Sequence, residues 1–165
     1  MAYWRRLLVA GVGALSLLSA GAVSAGAHEG GGSLIEFESM TPVTGAAVGT
    51  VNDRGIKGGG LPWAITSGEG EVDRSGNVEV EVQGLVIPVA PFNGTNPVKF
   101  FKATVSCITP GGVVNVSTGN FPADAAGNSE IEDHVTLPSV CNDPIVFVAA
   151  PSGAWFAMSN AEADD

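Results

Sequence analysis

The sequence predicts an all-β fold, an antiparallel β-sandwich with a small β-barrel as the alternative. Three observations carry that expectation. Short valine-rich runs recur at close spacing, glycine and proline punctuate them, and no stretch beyond residue 27 holds a helical period for three turns. The clearest strand is "NVEVEVQGLVI", where Val78, Val80 and Val82 alternate with Glu79, Glu81 and Gln83, so that one face is buried and the other wet.

The other elements follow in order. "DRSGN" (Asp73 to Asn77) reads as a turn, and "AITSGEGEV" before it as the partner strand of a hairpin. "PVAPFNGTNP" is a loop, dense in proline and in turn dipeptides. "VKFFKATVSCIT" places Phe101, Ala103, Val105 and Cys107 on one face, and "PGG" turns the chain into "VVNVST". "SEIEDHVTL" sets Ile131, Val135 and Leu137 against Glu130, Glu132 and His134. "PIVFVAA", a "PSG" turn and "AWFAMS" form a closing hairpin. Eight or nine strands result, with no repeat of fixed period.

Residues 1–27 read as a signal peptide: Arg5 and Arg6, an apolar run from Leu7 to Leu18, then the small residues of "SAGAVSAGA". The run is too short to span a bilayer, and no later stretch reaches the roughly 20 apolar residues a membrane helix needs. "RRLLV" also loosely fits a twin-arginine leader, and cleavage after Ala25 or after Ala27 both satisfy the small-x-small rule. The expected division is a signal peptide over 1–27, a flexible linker over 28–33, one domain over 34–159 and an acidic tail over 160–165. The predicted location is outside the cell.

Charge narrows the partners. The chain carries −10, and loss of the leader, with two of its seven basic residues and none of its seventeen acids, takes this to −12. Such a chain is repelled by nucleic acid and by anionic lipid, so neither is an expected partner. Cys107 and Cys141, an even count in an exported chain, predict one disulfide.

The motifs "ESMTPVTG", "GGGLPW", "FNGTNPV", "VSC", "VNVST", "FPADAAGN" and "PIVFVAAPSGAWFA" together resemble a group of small secreted bacterial proteins that lack an assigned activity. The resemblance covers about Glu38 to Ala157. It implies an exported, stand-alone bacterial domain and brings no catalytic or ligand-binding residue with it.

Candidate chemistry is sparse. A serine hydrolase needs a nucleophile, a base and an orienting acid. No GxSxG is present, and Asp133 and His134 are strand neighbours that point to opposite faces. Glu36, Glu38, Glu69, Glu71, Glu79, Glu81, Glu130 and Glu132 offer pairs for carboxylate catalysis, but all sit in alternating patterns where acids face water. Asp73, Ser75, Asn77 and Glu79 have a calcium-loop-like spacing, yet the glycine comes early and a hairpin turn accounts for them. The glycine-rich "GIKGGGLPW" lacks the ending of a phosphate loop and reads as a mobile segment leading into Trp63. Trp63 and Phe92, both on loops, are the candidate ligand-binding aromatics. Asn93 and Asn115 head sequons that a bacterial source would leave unused.

Cleavage after Ala27 would expose His28 as an N-terminal histidine, with His134 the one other histidine able to complete a copper brace. Glu29 and the following glycines leave such a terminus untethered, so no metal site and no cofactor is assigned. The expectation is a secreted, non-enzymatic binding or structural module. The alternatives are a metal-binding protein using His28 with His134, and a hydrolase whose carboxylates are assembled by the fold.

Overall fold

The computed structural model describes residues 31–160 and shows a β-sandwich of two antiparallel sheets, with no closed barrel. Ten strands form it: β1 (Ser33–Phe37), β2 (Met40–Pro42), β3 (Ser67–Asp73), β4 (Asn77–Gln83), β5 (Phe100–Thr109), β6 (Gly112–Ser117), β7 (Phe121–Pro122), β8 (Ser129–His134), β9 (Asn142–Ala149) and β10 (Trp155–Ser159). The smaller sheet has the order β1-β3-β4-β8. The larger runs β2-β10-β9-β5-β6, with β7 also paired to β5.

Alternation decides which face each strand buries. Ile35, Phe37, Val72, Val78, Val80, Val82 and Ile131 line the inner face of the small sheet. They meet Phe101, Ala103, Val105, Val146 and Val148 from the large one. Burial of such side chains contributes roughly 1.5–3 kcal/mol each before entropy is counted. Trp63 stacks on Phe156 with centroids 3.9 Å apart, and Phe101 meets both rings edge-on at 6.3 and 5.9 Å. The disulfide joins Cys107 in β5 to Cys141 just before β9, closing a span of 34 residues.

The large sheet is covered on its outer face as well. Ser106 and Phe147 are buried there, and so is Arg54 from the segment between β2 and β3. The Arg54 guanidinium donates to the Ser106 carbonyl and hydroxyl at 3.4 Å, to the Asp143 carbonyl at 2.7 Å, and to the Asp143 carboxylate. In return, the Asn115 side chain donates to the Arg54 carbonyl at 2.8 Å. One arginine therefore fastens this segment across β5, β6 and the start of β9. A buried guanidinium needs such partners, because leaving it unpaired would cost several kcal/mol.

Five expectations differ from the structure, the first being that the strands number ten rather than eight or nine. The strand beginning at Asn77 stops at Gln83, because Gly84 takes φ +67 and turns the chain. The glycine-rich segment is packed: Gly58 and Gly59 are buried, their amides bond to the carbonyls of Thr50 and Trp155, and an added Cβ on Gly59 would lie 2.9 Å from Trp63 Nε1. The end of the linker is tied down, since the Gly31 amide donates to Ser75 Oγ at 3.0 Å, the Gly32 carbonyl accepts from Arg74, and Ser33 opens β1. Asn160 belongs to the sheet edge rather than the tail, bonded to Ser39 and Thr41. The signal peptide, His28 and residues 161–165 lie outside the described residues.

Candidate functional site

A Glu-x-Glu pair accompanies each strand of the small sheet: Glu36 with Glu38, the latter one residue past the end of β1, then Glu69 and Glu71, Glu79 and Glu81, Glu130 and Glu132. The residues between them stand in one row across the sheet, Phe37 opposite Gly70, Gly70 opposite Val80, Val80 opposite Ile131. That row points inward. Gly70 lacks a side chain because a Cβ there would meet the Phe37 ring 2.8 Å away. With this row inside, the glutamates are forced outward in two ranks on either side of it.

The register aligns acid with acid. Glu36 faces Glu71, Glu71 faces Glu79, and Glu79 faces Glu132. In the second rank Glu69 faces Glu81, and Glu81 faces Glu130. Neighbouring strands lie about 4.8 Å apart. Two unit charges at that spacing repel by roughly 0.9 kcal/mol in water before salt screens them, and like charges directly opposite destabilise a sheet. The eight carboxylates rim a shallow depression of about 410 Å³, and no lysine or arginine lines it. Lys57 and Lys102 line a separate depression over β5 and β6, Arg54 is buried, and Arg74 stands in the β3–β4 turn at one end of the sheet, outside the depression.

Two turns launch β4 and its edge neighbour β8, and they share a motif that recurs without a fixed-period repeat. "DRSGNVEVE" (Asp73 to Glu81) leads into β4, and "DAAGNSEIE" (Asp124 to Glu132) leads into β8. Asp73 Oδ1 accepts from the Asn77 amide at 3.0 Å, and Oδ2 from the Asn77 side chain at 2.7 Å. Asp124 makes the same bonds to Asn128 at 2.9 and 3.0 Å. Desolvation, the largest single influence, would raise the Asp73 carboxyl, but hydrogen bonds from the Asn77 side chain and from the Asn77, Ser75 and Gly76 amides together outweigh it and hold it below the ordinary aspartate range. Asp124 is lowered by the amide and side chain of Asn128. The oxygens that resembled a calcium loop are thus engaged in closing a hairpin.

The other sequence candidates lie apart from this face. Trp63 is 3% exposed and covered by Phe156, which leaves no ring face for a ligand. Phe92 is half-buried in the loop between β4 and β5, packed against the core. His134 is exposed at the end of β8, opposite Asn77. Its neighbour Asp133 spends its carboxylate on the amides of Gly119 at 2.7 Å and His134 at 2.8 Å, which hold it below the usual aspartate range with help from the His134 charge. Among the described residues no group of three or more histidine, cysteine or acidic side chains is placed to hold a metal ion.

Fold and surface together define a disulfide-linked β-sandwich that presents one polyanionic sheet face. No family model, curated protein or solved structure matches the chain, so its resemblance to small secreted proteins rests on the quoted motifs alone.

Proposed function

We propose that this protein is exported by its N-terminal leader and works outside the cytoplasm as a non-enzymatic binding module, with the glutamate face as its working surface and a polycationic macromolecule as its partner. The resemblance of its motifs to small secreted bacterial proteins supports a bacterial source. One observation carries the reading. Five directly opposed glutamate pairs are kept on one sheet face with no basic residue among them. A face selected only for solubility gains nothing from that alignment, since alternating signs would serve solubility and remove the repulsion. A cationic partner turns the cost into binding: each positive group that settles between the ranks meets carboxylates on both sides and relieves their repulsion. The surface is open and broad, which suits an extended chain of cationic side chains better than a single small ion. A disulfide and the absence of any membrane-spanning helix among the described residues are compatible with that location.

The test is titration of an oligolysine peptide into the protein and into a Glu79→Gln, Glu81→Gln, Glu130→Gln, Glu132→Gln variant, at low and at physiological salt. Binding that weakens with salt and falls at least about tenfold in the variant supports the reading. Equal affinity for both proteins, or an equal loss on Asp53→Asn away from the face, refutes it.

A further inference from the structure

The sandwich has five strands with a free or short edge, and four of them are closed to further pairing. β1 carries Glu36 and a register shift between Ser33 and Ile35. β8 carries Glu130, Glu132 and Asp133. β2 and β7 are three and two residues long, and each contains a proline. Charge, irregularity, shortness and proline are the devices by which sheet edges avoid one another. β6, Gly112–Ser117, has none of them: six residues, no charge, no proline and an unbroken register with β5.

Its free side can be read from the ladder. Hydrogen-bonded and non-bonded pairs alternate along an antiparallel ladder. The Thr118 amide bonds to the Ala103 carbonyl at 2.9 Å, and the two-residue turn Pro110-Gly111 closes on Thr109 and Gly112. Gly112, Val114 and Val116 therefore turn their main-chain groups to β5. Val113, Asn115 and Ser117 turn theirs outward. Val113 is 42% exposed beside its cross-strand partner Ile108, 39% exposed, so the open edge is flanked by apolar surface.

We infer that β6 is a self-pairing edge, and that two copies of this chain join through antiparallel β6–β6 contact about a two-fold axis at Asn115. That register opposes Asn115 to Asn115, Val113 to Ser117 and Val114 to Val116. It satisfies the outward groups with about six main-chain hydrogen bonds and sets no charge against another. The second copy is the occupant because the edge demands an extended, uncharged strand, and β6 is itself such a strand, its outward residues matched to their own two-fold image. The axis stands perpendicular to the joined sheet, so both glutamate faces look to the same side. Pairing thus makes the proposed polycation surface bivalent, which raises its avidity without a new contact. The inference concerns β6 alone, and loss of oligolysine binding would leave it untouched.

Sedimentation of the full chain from micromolar to millimolar concentration tests it. A monomer–dimer equilibrium is expected, strengthened by salt because net charge opposes association. Val113→Pro removes an amide that β5 does not use, and should weaken the dimer at least about tenfold. Asn115→Cys should cross-link into a covalent dimer on mild oxidation, since opposed residues of a bonded pair have Cα atoms about 5.5 Å apart. Val51→Cys, exposed but off the edge, should not. Should Val113→Pro fail to fold, the cross-link decides. A chain that stays monomeric at millimolar concentration, a dimer that salt dissociates, or one in which Asn115→Cys does not cross-link would overturn the inference.

Discussion

Replacing Glu79 and Glu81 by glutamine should make the protein more stable while weakening the binding proposed for it. Glu79 stands against Glu71 and Glu132, and Glu81 against Glu69 and Glu130, so the two changes remove four of the five opposed acid pairs. Glutamine keeps the shape, and at position 81 it keeps an oxygen for the Gln83 side chain, now 2.8 Å from Glu81 Oε1. Each opposed pair is worth about 0.2–1 kcal/mol, so the double variant gains roughly 1–4 kcal/mol at low ionic strength. For a domain of this size that raises Tm by roughly 3–15 °C. In about 1 M salt the Debye length falls to about 3 Å, shorter than the strand spacing, and most of the gain should vanish. The assay is reversible thermal unfolding of both proteins across a salt series. Native protein should gain more from salt than the variant does. A variant no more stable at low salt, or salt curves that run parallel, would show that the opposed glutamates do not repel as their register implies.

Two further outcomes follow from the turns and the bridge. Removing the Cys107–Cys141 link should cost about 4 kcal/mol through the freedom regained by a 34-residue span, lowering Tm by roughly 10–20 °C; two titratable thiols in the native, unreduced protein would refute the linkage. Asp73→Asn should be less stable than the native protein at neutral pH. The folded carboxyl titrates below its unfolded value, so its contribution is complete above about pH 3.8 and is lost as pH falls through the folded value. Denaturant titrations of the two proteins should therefore converge in acid, and a gap that widens there would count against the hydrogen-bonded turn.

Much of the fold was legible because it rests on local rules. The alternation of Val78 to Val82 with Glu79 to Gln83, the turn at Asp73 to Asn77 and the even cysteine count each act over a few residues or through compartment chemistry. The rest depended on contacts between distant segments. Trp63 reads as a loop aromatic until Phe156 arrives from the last strand to cover it. Gly58 and Gly59 read as mobile until the carbonyls of Thr50 and Trp155 take their amides. The eight glutamates were visible as solvated positions, but their opposition was not, because it is set by register among strands drawn from across the chain. A usable signal was present in the four Glu-x-Glu pairs, whose central residues had to share one inward row if the strands joined one sheet.

The paired motif explains why the glutamates of β4 and β8 stand opposed at one side of the sheet. β4 and β8 start from the same Asp-x-x-Gly-Asn turn, 51 positions apart. In both, the glycine adopts a left-handed conformation, φ +98 at Gly76 and φ +80 at Gly127. In both, an added Cβ would collide with a carbonyl, that of Val135 or that of Leu85. The chain can therefore present this turn only with glycine at its fourth position, and each turn launches the following strand with the same residues facing in. The two strands then pair antiparallel with Val80 opposite Ile131, the equivalent positions of the two motifs. Antiparallel pairing about equivalent central residues is a local two-fold, and any two-fold sets the flanking glutamates of one strand against those of the other. Glu79 against Glu132 and Glu81 against Glu130 are thus a consequence of using one motif twice. A lysine at either acid position of one copy would have relieved the contact without disturbing the turn or the core. Its absence from both copies, and from β1 and β3 in the same sheet, is the physical ground for the proposal of a cationic partner.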